Sequence, residues 1–374
     1  MGSMTEPRLE TKTSPPTTTS SRLPRARLLD LYFTMLLSRT LDERMWTLNR
    51  QGRGAFTISC QGHEAAQVGS ALALRSGQDV VFPYYRDVGV VLTLGMTPRD
   101  LMLAFFARAA DPSSGGRQMP NHFGSAQHKI MSVSSPVATQ IPQAAGAALA
   151  IKVRRESSVV AVYFGEGCTS SGHFHEGLNF ASVHRLPVIF ICENNGWAIS
   201  VPRDKQMGVA TVAERAAAYA MPGIAVDGTD PLAVYEATVQ AVERATSGGG
   251  PTLIDAHVPR LTAHSSDDDD RRYRPSEEME MAHRRDPLDL VRRVLQERQI
   301  LDNAADEQLR ERAISTVDDA VAFAEASPEP SPDTLHLHVY HAGVVRGSGV
   351  WDLGSGGPTP KPRTPNPNGA TKWQ

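Results

Sequence analysis

The stretch VVAVYFGEGCTSSG, residues 159–172, runs from apolar and β-branched residues into Gly165-Glu166-Gly167 and then into small polar residues. Its first half reads as a buried strand. A lone carboxylate between two glycines then closes it, the glycines allowing a sharp turn and a close approach to a ligand. HFHEGLNFASVH from His173 reads as a helix, PVIFICE from Pro187 as a second strand, and that strand ends in ENNGWAIS. Twenty-six residues separate Gly167 from Asn194, the length of a βαβ crossover. Both polar strand ends should therefore meet on one edge of a parallel sheet, where open α/β sheets bind their ligands. A helix following the glycines would aim its N-terminus at an anion such as phosphate.

The same alternation continues on either side. Leu28 to Arg50 reads as a helix, as do GHEAAQVGSALAL from Gly62 and TPRDLMLAFFARA from Thr97, the last with a Thr cap and Pro in its first turn. SPVATQIPQAAGAALAIKVRR from Ser135 is an Ala-rich helix whose Pro142 belongs in the first turn or makes a kink. GIAVDG and PTLIDAHV are short strands around the helix PLAVYEATVQAVERA, and Glu277 to about Ala326 is helical and charged. Strands alternating with helices predict an α/β fold with a doubly wound, mainly parallel sheet and helical N- and C-terminal extensions. Residues 1–24 read as a disordered segment, 25–330 as the folded body, and 331–374 as a C-terminal segment that is largely low-complexity tail, Pro- and Gly-rich from Gly347.

Composition narrows the function. The 374 residues carry a net charge of −3, which points away from a nucleic-acid partner. No apolar run approaches the roughly 18 residues of a membrane span. The N-terminal stretch lacks a hydrophobic signal core, and Cys60, Cys168 and Cys192 form no CxxC pair, so a cytoplasmic location is expected.

Glu166, an Asn amide and a free loop carbonyl together make a hard-oxygen site, suited to Mg²⁺ when substrate phosphates complete its shell. Gly-Glu-Gly alone is an ordinary strand-to-loop turn. Gly-Glu-Gly followed by Asn-Asn-Gly at crossover spacing is much more specific.

That pair resembles the thiamine-diphosphate motif. With YYRD from Tyr84, GRQMPNHFG from Gly116, SSPVATQIPQAAGAALA from Ser134 and AHSSDDDDRRYR from Ala263, residues from about 25 to 330 resemble the α subunits of the branched-chain 2-oxoacid dehydrogenases. The resemblance implies a thiamine-diphosphate-binding fold. It implies oxidative decarboxylation of branched-chain 2-oxoacids, with the acyl group passed to lipoyl groups of an acyltransferase core. It also implies that Glu166, Asn195 and the backbone carbonyl of Trp197 hold Mg²⁺, although Trp197 stands where Tyr is usual. Tyr85 and Arg86 match phosphate-contacting positions, Gly167 and Cys168 match cofactor contacts, and Ser135 and Val137 match positions against the cofactor's rings. His264 matches a histidine beside the diphosphate and the reacting carbon, so the implied catalytic set is His264, Ser135 and Tyr85. Ser134, Pro136, Thr139 and Gln140 match a potassium-binding turn known in some members.

The departures are specific. Glu193 replaces an arginine aimed at the phosphate in the mammalian pattern, Tyr84 replaces a usual Gln, and Ser265 matches a serine phosphorylated in some relatives. Asp267–Asp270 with Arg271 and Arg272 reads as a solvated loop that orders with the cofactor. The cofactor's other half needs a carboxylate from a second domain, for which the chain has no room. The resemblance therefore implies a β subunit and an α₂β₂ assembly with its active sites between the chains. Two alternatives stand at this stage: a pyruvate or acetoin enzyme of the same class, or a non-catalytic scaffold with a degenerate site.

Overall fold

A computed structural model describes residues 23–335 and 337. The expected low-complexity segments, 1–22 and the tail from Gly347, lie outside the described residues. Two units meet at Pro330 and Ser331. Of the second, the described part is a short 3₁₀ turn at Pro332–Thr334, capped by Ser331.

In chain order the first unit comprises α1 (Arg25–Arg50), α2 (Glu64–Ala71), β1 (Val80–Phe82), α3 (Val88–Thr93), α4 (Pro98–Phe105), α5 (Gln140–Arg154) and β2 (Val160–Gly165). Then come α6 (Gly172–Val183), β3 (Val188–Asn194), the two-residue strands β4 (Trp197–Ala198) and β5 (Val201–Pro202), β6 (Gly223–Asp227), α7 (Pro231–Thr246) and β7 (Thr252–His257). Three helices close it: α8 (Ser276–Arg284), α9 (Pro287–Glu297) and α10 (Asn303–Ala326). The main sheet is five-stranded and parallel throughout, in the order β1-β2-β3-β7-β6, while β4 and β5 form a separate antiparallel hairpin.

The apolar runs are buried on both faces because strand residues alternate sides. Val160, Val162, Phe164, Val188 and Phe190 pack with α5 and α6. Ala161, Tyr163, Ile189 and Ile191 pack with α1, α2, α3 and α7 on the other face. The doubly wound sheet and its helical extensions are as expected.

Local chemistry sets the helix boundaries. Thr97 and Asp100 form a reciprocal capping box at α4, and Pro142 sits in the first turn of α5. The charged region from Glu277 is helical as expected and divides into three helices: Asp286 caps α9 and Asp302 caps α10. α10 packs on α1, where Tyr32 donates to Asp306 at 2.8 Å. β1, α3 and the β4–β5 hairpin were not foreseen. Among the described residues no helix is long and apolar enough to cross a membrane.

Candidate active site

Gly165 on β2 pairs with Glu193 on β3, so Glu166 and Asn195 emerge from adjacent strand ends. They open onto a cavity of about 470 Å³. Its lining includes Tyr85, Arg86, Ser135, Val137, Glu166, Gly167, Cys168, Asn195, Trp197 and His264. Every residue expected to serve catalysis, thiamine diphosphate or Mg²⁺ thus reaches one cavity. Ser134, Pro136 and Gln140 line it too, and Thr139 does not.

Glu166 is 1% exposed. Its Oε2 accepts from the Asn195 backbone N–H at 3.2 Å, and its Oε1 is buried with no hydrogen-bond partner among the described residues. Burial pushes its carboxyl above the usual range. The ionised form lacks a compensating partner in this burial, and a cation at the open oxygen would supply one. Asn195 Oδ1 accepts from the Trp197 N–H at 3.1 Å and keeps a second lone pair. The donor set fits a divalent cation with a preference for hard oxygen.

Gly165 does not make the turn. Its φ of −86° and ψ of 164° are extended backbone open to any residue. Neither does a helix begin directly after the glycines. Glu166–Ser170 is a 3₁₀ turn, closed by Thr169 Oγ1 donating to the Glu166 carbonyl, and Ser171 caps α6 afterwards. Gly167 is where space matters, because a Cβ there would lie 3.1 Å from Ala198 Cβ in the hairpin.

Arg86 is buried. It donates to the Ser59 carbonyl at 2.5 Å and to Nδ1 and the carbonyl of His264 at 3.0 and 3.1 Å. Burial and the charges of Arg86 and Arg260 lower the His264 pKa to about 3. His264 is therefore neutral at pH 7, its Nδ1 accepting and its proton on Nε2. Tyr85 packs edge-on to His264, ring centroids 6.1 Å apart. Cys168 remains a thiol, its pKa pushed up to about 12 by burial.

The acidic run is only in part the expected solvated loop: Asp267, Arg271 and Arg272 are exposed, but the rest is held. Asp268 accepts from the His264 N–H and the Tyr273 hydroxyl, Asp269 pairs with Arg271, and Asp270 with Arg274. Ser265 within it is buried. Trp197 ties this segment to the strand end, its indole donating to Glu278 at 2.6 Å and its ring lying beside Tyr273, Arg260 and Arg274.

Glu193 does not line the cavity. It is fully buried beneath it, accepting from His63 Nδ1 at 2.6 Å and from Gln67 and Tyr84 at 3.0 Å. Burial opposes its ionisation most strongly, yet His63 and the hydrogen bonds from Asp87 and Gln67 together outweigh this and hold the carboxyl below its usual range. Asp87 beside it is pushed well above its usual range by burial and the Glu193 charge. Two of the departures from the family pattern, Glu193 and Tyr84, are thus partners of each other.

Phe56, Ile58, Met119 and His122 also line the cavity and were not assigned from sequence. His122 Nε2 lies 2.5 Å from Ser135 Oγ. Met119 and His122 sit inside the quoted GRQMPNHFG stretch, a signal that was there to be used. Phe56 has no comparable signal.

A family model described as dehydrogenase E1 component matches residues 32–333. The chain is 52% identical over 312 residues to the 2-oxoisovalerate dehydrogenase subunit alpha of Bacillus subtilis, covering 83% of this chain and 94% of that one. It is 41% identical over 321 residues to the 3-methyl-2-oxobutanoate dehydrogenase subunit alpha of Mycobacterium tuberculosis, covering 85% and 84%. It is 39% identical over 319 residues to the human mitochondrial 2-oxoisovalerate dehydrogenase subunit alpha, covering 85% and 71%.

Proposed function

We infer the function from one premise: the chain belongs to the dehydrogenase E1 component family. It is an alpha subunit of the branched-chain 2-oxoacid type, catalysing oxidative decarboxylation of substrates such as 3-methyl-2-oxobutanoate with transfer of the acyl group to a lipoyl acceptor. The pyruvate or acetoin alternative is less favoured, since the relatives above carry branched-chain names. The observation that carries the reading is the pair Glu166 and Asn195 on adjacent parallel strand ends, with Glu166 Oε1 buried and open.

Mg²⁺ would be held by Glu166, Asn195 and the Trp197 carbonyl, and thiamine diphosphate by Tyr85, Arg86, Gly167 and Cys168. When bound, that cofactor supplies an electron-accepting ring for the electrons released as CO₂ leaves. Arg86 offers a planar, permanently charged fork to a phosphate while holding His264 by Nδ1. His264, kept neutral, presents Nε2–H as a donor toward developing negative charge. Phe56, Ile58, Met119 and Val137 make an apolar wall suited to a branched aliphatic side chain. One methylene is worth only about 1–3 kcal/mol of discrimination, so the wall selects a size class and not one acid. Gln140 Oε1, buried with no partner among the described residues, supports the potassium turn.

Glu166 is the sole carboxylate among the described residues lining the cavity. The second acid that the family expectation requires is therefore assigned to a β-type partner in an α₂β₂ assembly that docks on a lipoyl acyltransferase core. The test is turnover of 3-methyl-2-oxobutanoate against pyruvate by the co-expressed complex with a lipoylated acceptor. Preference for the branched substrate is expected, and a clear pyruvate preference overturns the substrate assignment.

A further inference from the structure

We infer that His63 and Glu193, neither of which lines the cavity, are positioning residues that turn the Asn195 amide so that its oxygen, not its nitrogen, faces the metal. The inference rests on the reading above that Glu166 and Asn195 hold a divalent cation.

An Asn amide has the same shape with oxygen and nitrogen exchanged, so its orientation is decided by its partners. The Trp197 backbone N–H is an unambiguous donor, and it points at Oδ1 from 3.1 Å. Nδ2 then occupies the other side, 3.3 Å from His63 Nε2. Nδ2 has only hydrogens to offer, so Nε2 must accept. A neutral imidazole that accepts at Nε2 carries its proton on Nδ1. That proton is donated to Glu193 Oε2 at 2.6 Å, an oxygen that also receives Gln67 Nε2 and the Tyr84 hydroxyl. Three donors converging on one oxygen make Glu193 the fixed acceptor that starts the relay. The order of protons is thus set from Glu193 through His63 to Asn195.

The fold makes the relay possible. Ile189, Ile191 and Glu193 follow the two-residue repeat of β3 toward the layer that contains α2, and Asn195 comes one residue past the strand's end. His63 is the N-cap residue of α2 and is fully buried, and its ring is held between Glu193 on β3 and Asn195 just past the strand's end. Partners behind a ligand of this kind orient it, and losing them typically costs about 10–100-fold in metal affinity.

Three variants of similar size separate the relay from simple packing. In Glu193→Leu Nδ1 loses its acceptor, and the Tyr84 hydroxyl, 3.5 Å away, is free to donate to it. The His63 proton moves to Nε2 and faces Asn195 Nδ2, donor against donor, and the amide turns over. In His63→Asn the side-chain nitrogen overlays Nδ1 and keeps Glu193 partnered, but no acceptor reaches Asn195. In His63→Gln the amide oxygen overlays Nε2 and keeps that acceptor.

The readout is the Mn²⁺ dissociation constant in the presence of thiamine diphosphate, measured by electron paramagnetic resonance of free Mn²⁺ on the full chain with its co-expressed β-type partner. The metal-free melting temperature of each variant is measured in parallel. Wild type binding, about 10–100-fold weaker binding by Glu193→Leu and His63→Asn, and near-wild-type binding by His63→Gln support the relay. Unchanged affinity in Glu193→Leu and His63→Asn overturns it while the metal reading stands, as does an equal loss in both His63 variants. If Glu193→Leu does not fold, the two His63 variants decide. A wild type that takes up no Mn²⁺ with the cofactor overturns the metal reading itself, and the relay with it.

Discussion

Burial and the charges of Arg86, which His264 contacts, and of Arg260 lower the His264 pKa from 6.5 to about 3. A histidine depressed in the folded state contributes stability that is present above pH 6.5 and is lost as pH falls toward about 3, because the unfolded chain takes up the proton first. The melting temperature of wild type should therefore fall between pH 7 and pH 5 by more than that of His264→Ala. Equal falls would mean that His264 is not held neutral by its surroundings. Glu166 has the opposite sign, since burial raises its carboxyl from 4.5. Its neutral form contributes stability below 4.5 that is lost as pH rises toward the folded value. In the absence of metal, Glu166→Gln should melt at or above the wild-type temperature at pH 7, while Mn²⁺ affinity falls by more than the roughly 100-fold seen when only a supporting group is lost. A variant that binds Mn²⁺ as wild type does would remove Glu166 from the site.

At the scale of elements, close helix contacts decide what each position tolerates. Gly69 lies in α2 where that helix meets the start of α7, and a Cβ there would sit 2.4 Å from the Pro231 carbonyl oxygen. Alanine is the better helix former by about 1 kcal/mol, yet a backbone oxygen cannot step aside. Gly69→Ala should lower stability by about 1–3 kcal/mol in urea unfolding, and a gain would show that the α2–α7 contact is looser than this geometry. The boundaries of α2 and α7 were readable in the sequence, but their contact was not, because it joins residues far apart in the chain. The same divide runs through the whole fold. β2, β3 and β7 announce themselves as apolar runs bounded by glycines or polar residues. β1 spans Val80–Phe82, too short to show a repeat, and the β4–β5 hairpin has two residues per strand. At the site, Glu166 and Asn195 were legible because one crossover separates them. The contact of Glu193 with His63 spans 130 positions and leaves no local trace. Glu193 therefore read as an unexplained departure until the fold brought α2 beneath β3.

The largest scale is set by what surrounds the cavity mouth. Met119, Val137 and Ile199 line the cavity and are 51, 54 and 54% exposed, and Val201 of the adjoining hairpin is 43% exposed. Apolar residues grouped around a polar site, where Glu166 is the one acid among the described residues, suit the covering of that site by another chain. The reading predicts that the isolated chain binds 2-oxoacid without turning it over and that the β-type partner restores turnover. It also locates the contact. Val201 does not line the cavity, so Val201→Asp tests docking without touching the metal ligands. Burying a valine is worth about 1.5–3 kcal/mol, and an aspartate in its place adds the cost of an unpaired charge. The variant should retain the melting temperature of the isolated chain, because the side chain faces solvent there. In light scattering with the co-expressed partner it should shift toward separate chains, and turnover should fall in proportion to the complex lost. Full complex with lost turnover would place Val201 in the chemistry and not in the contact. Full complex with full turnover would move the partner surface away from this rim.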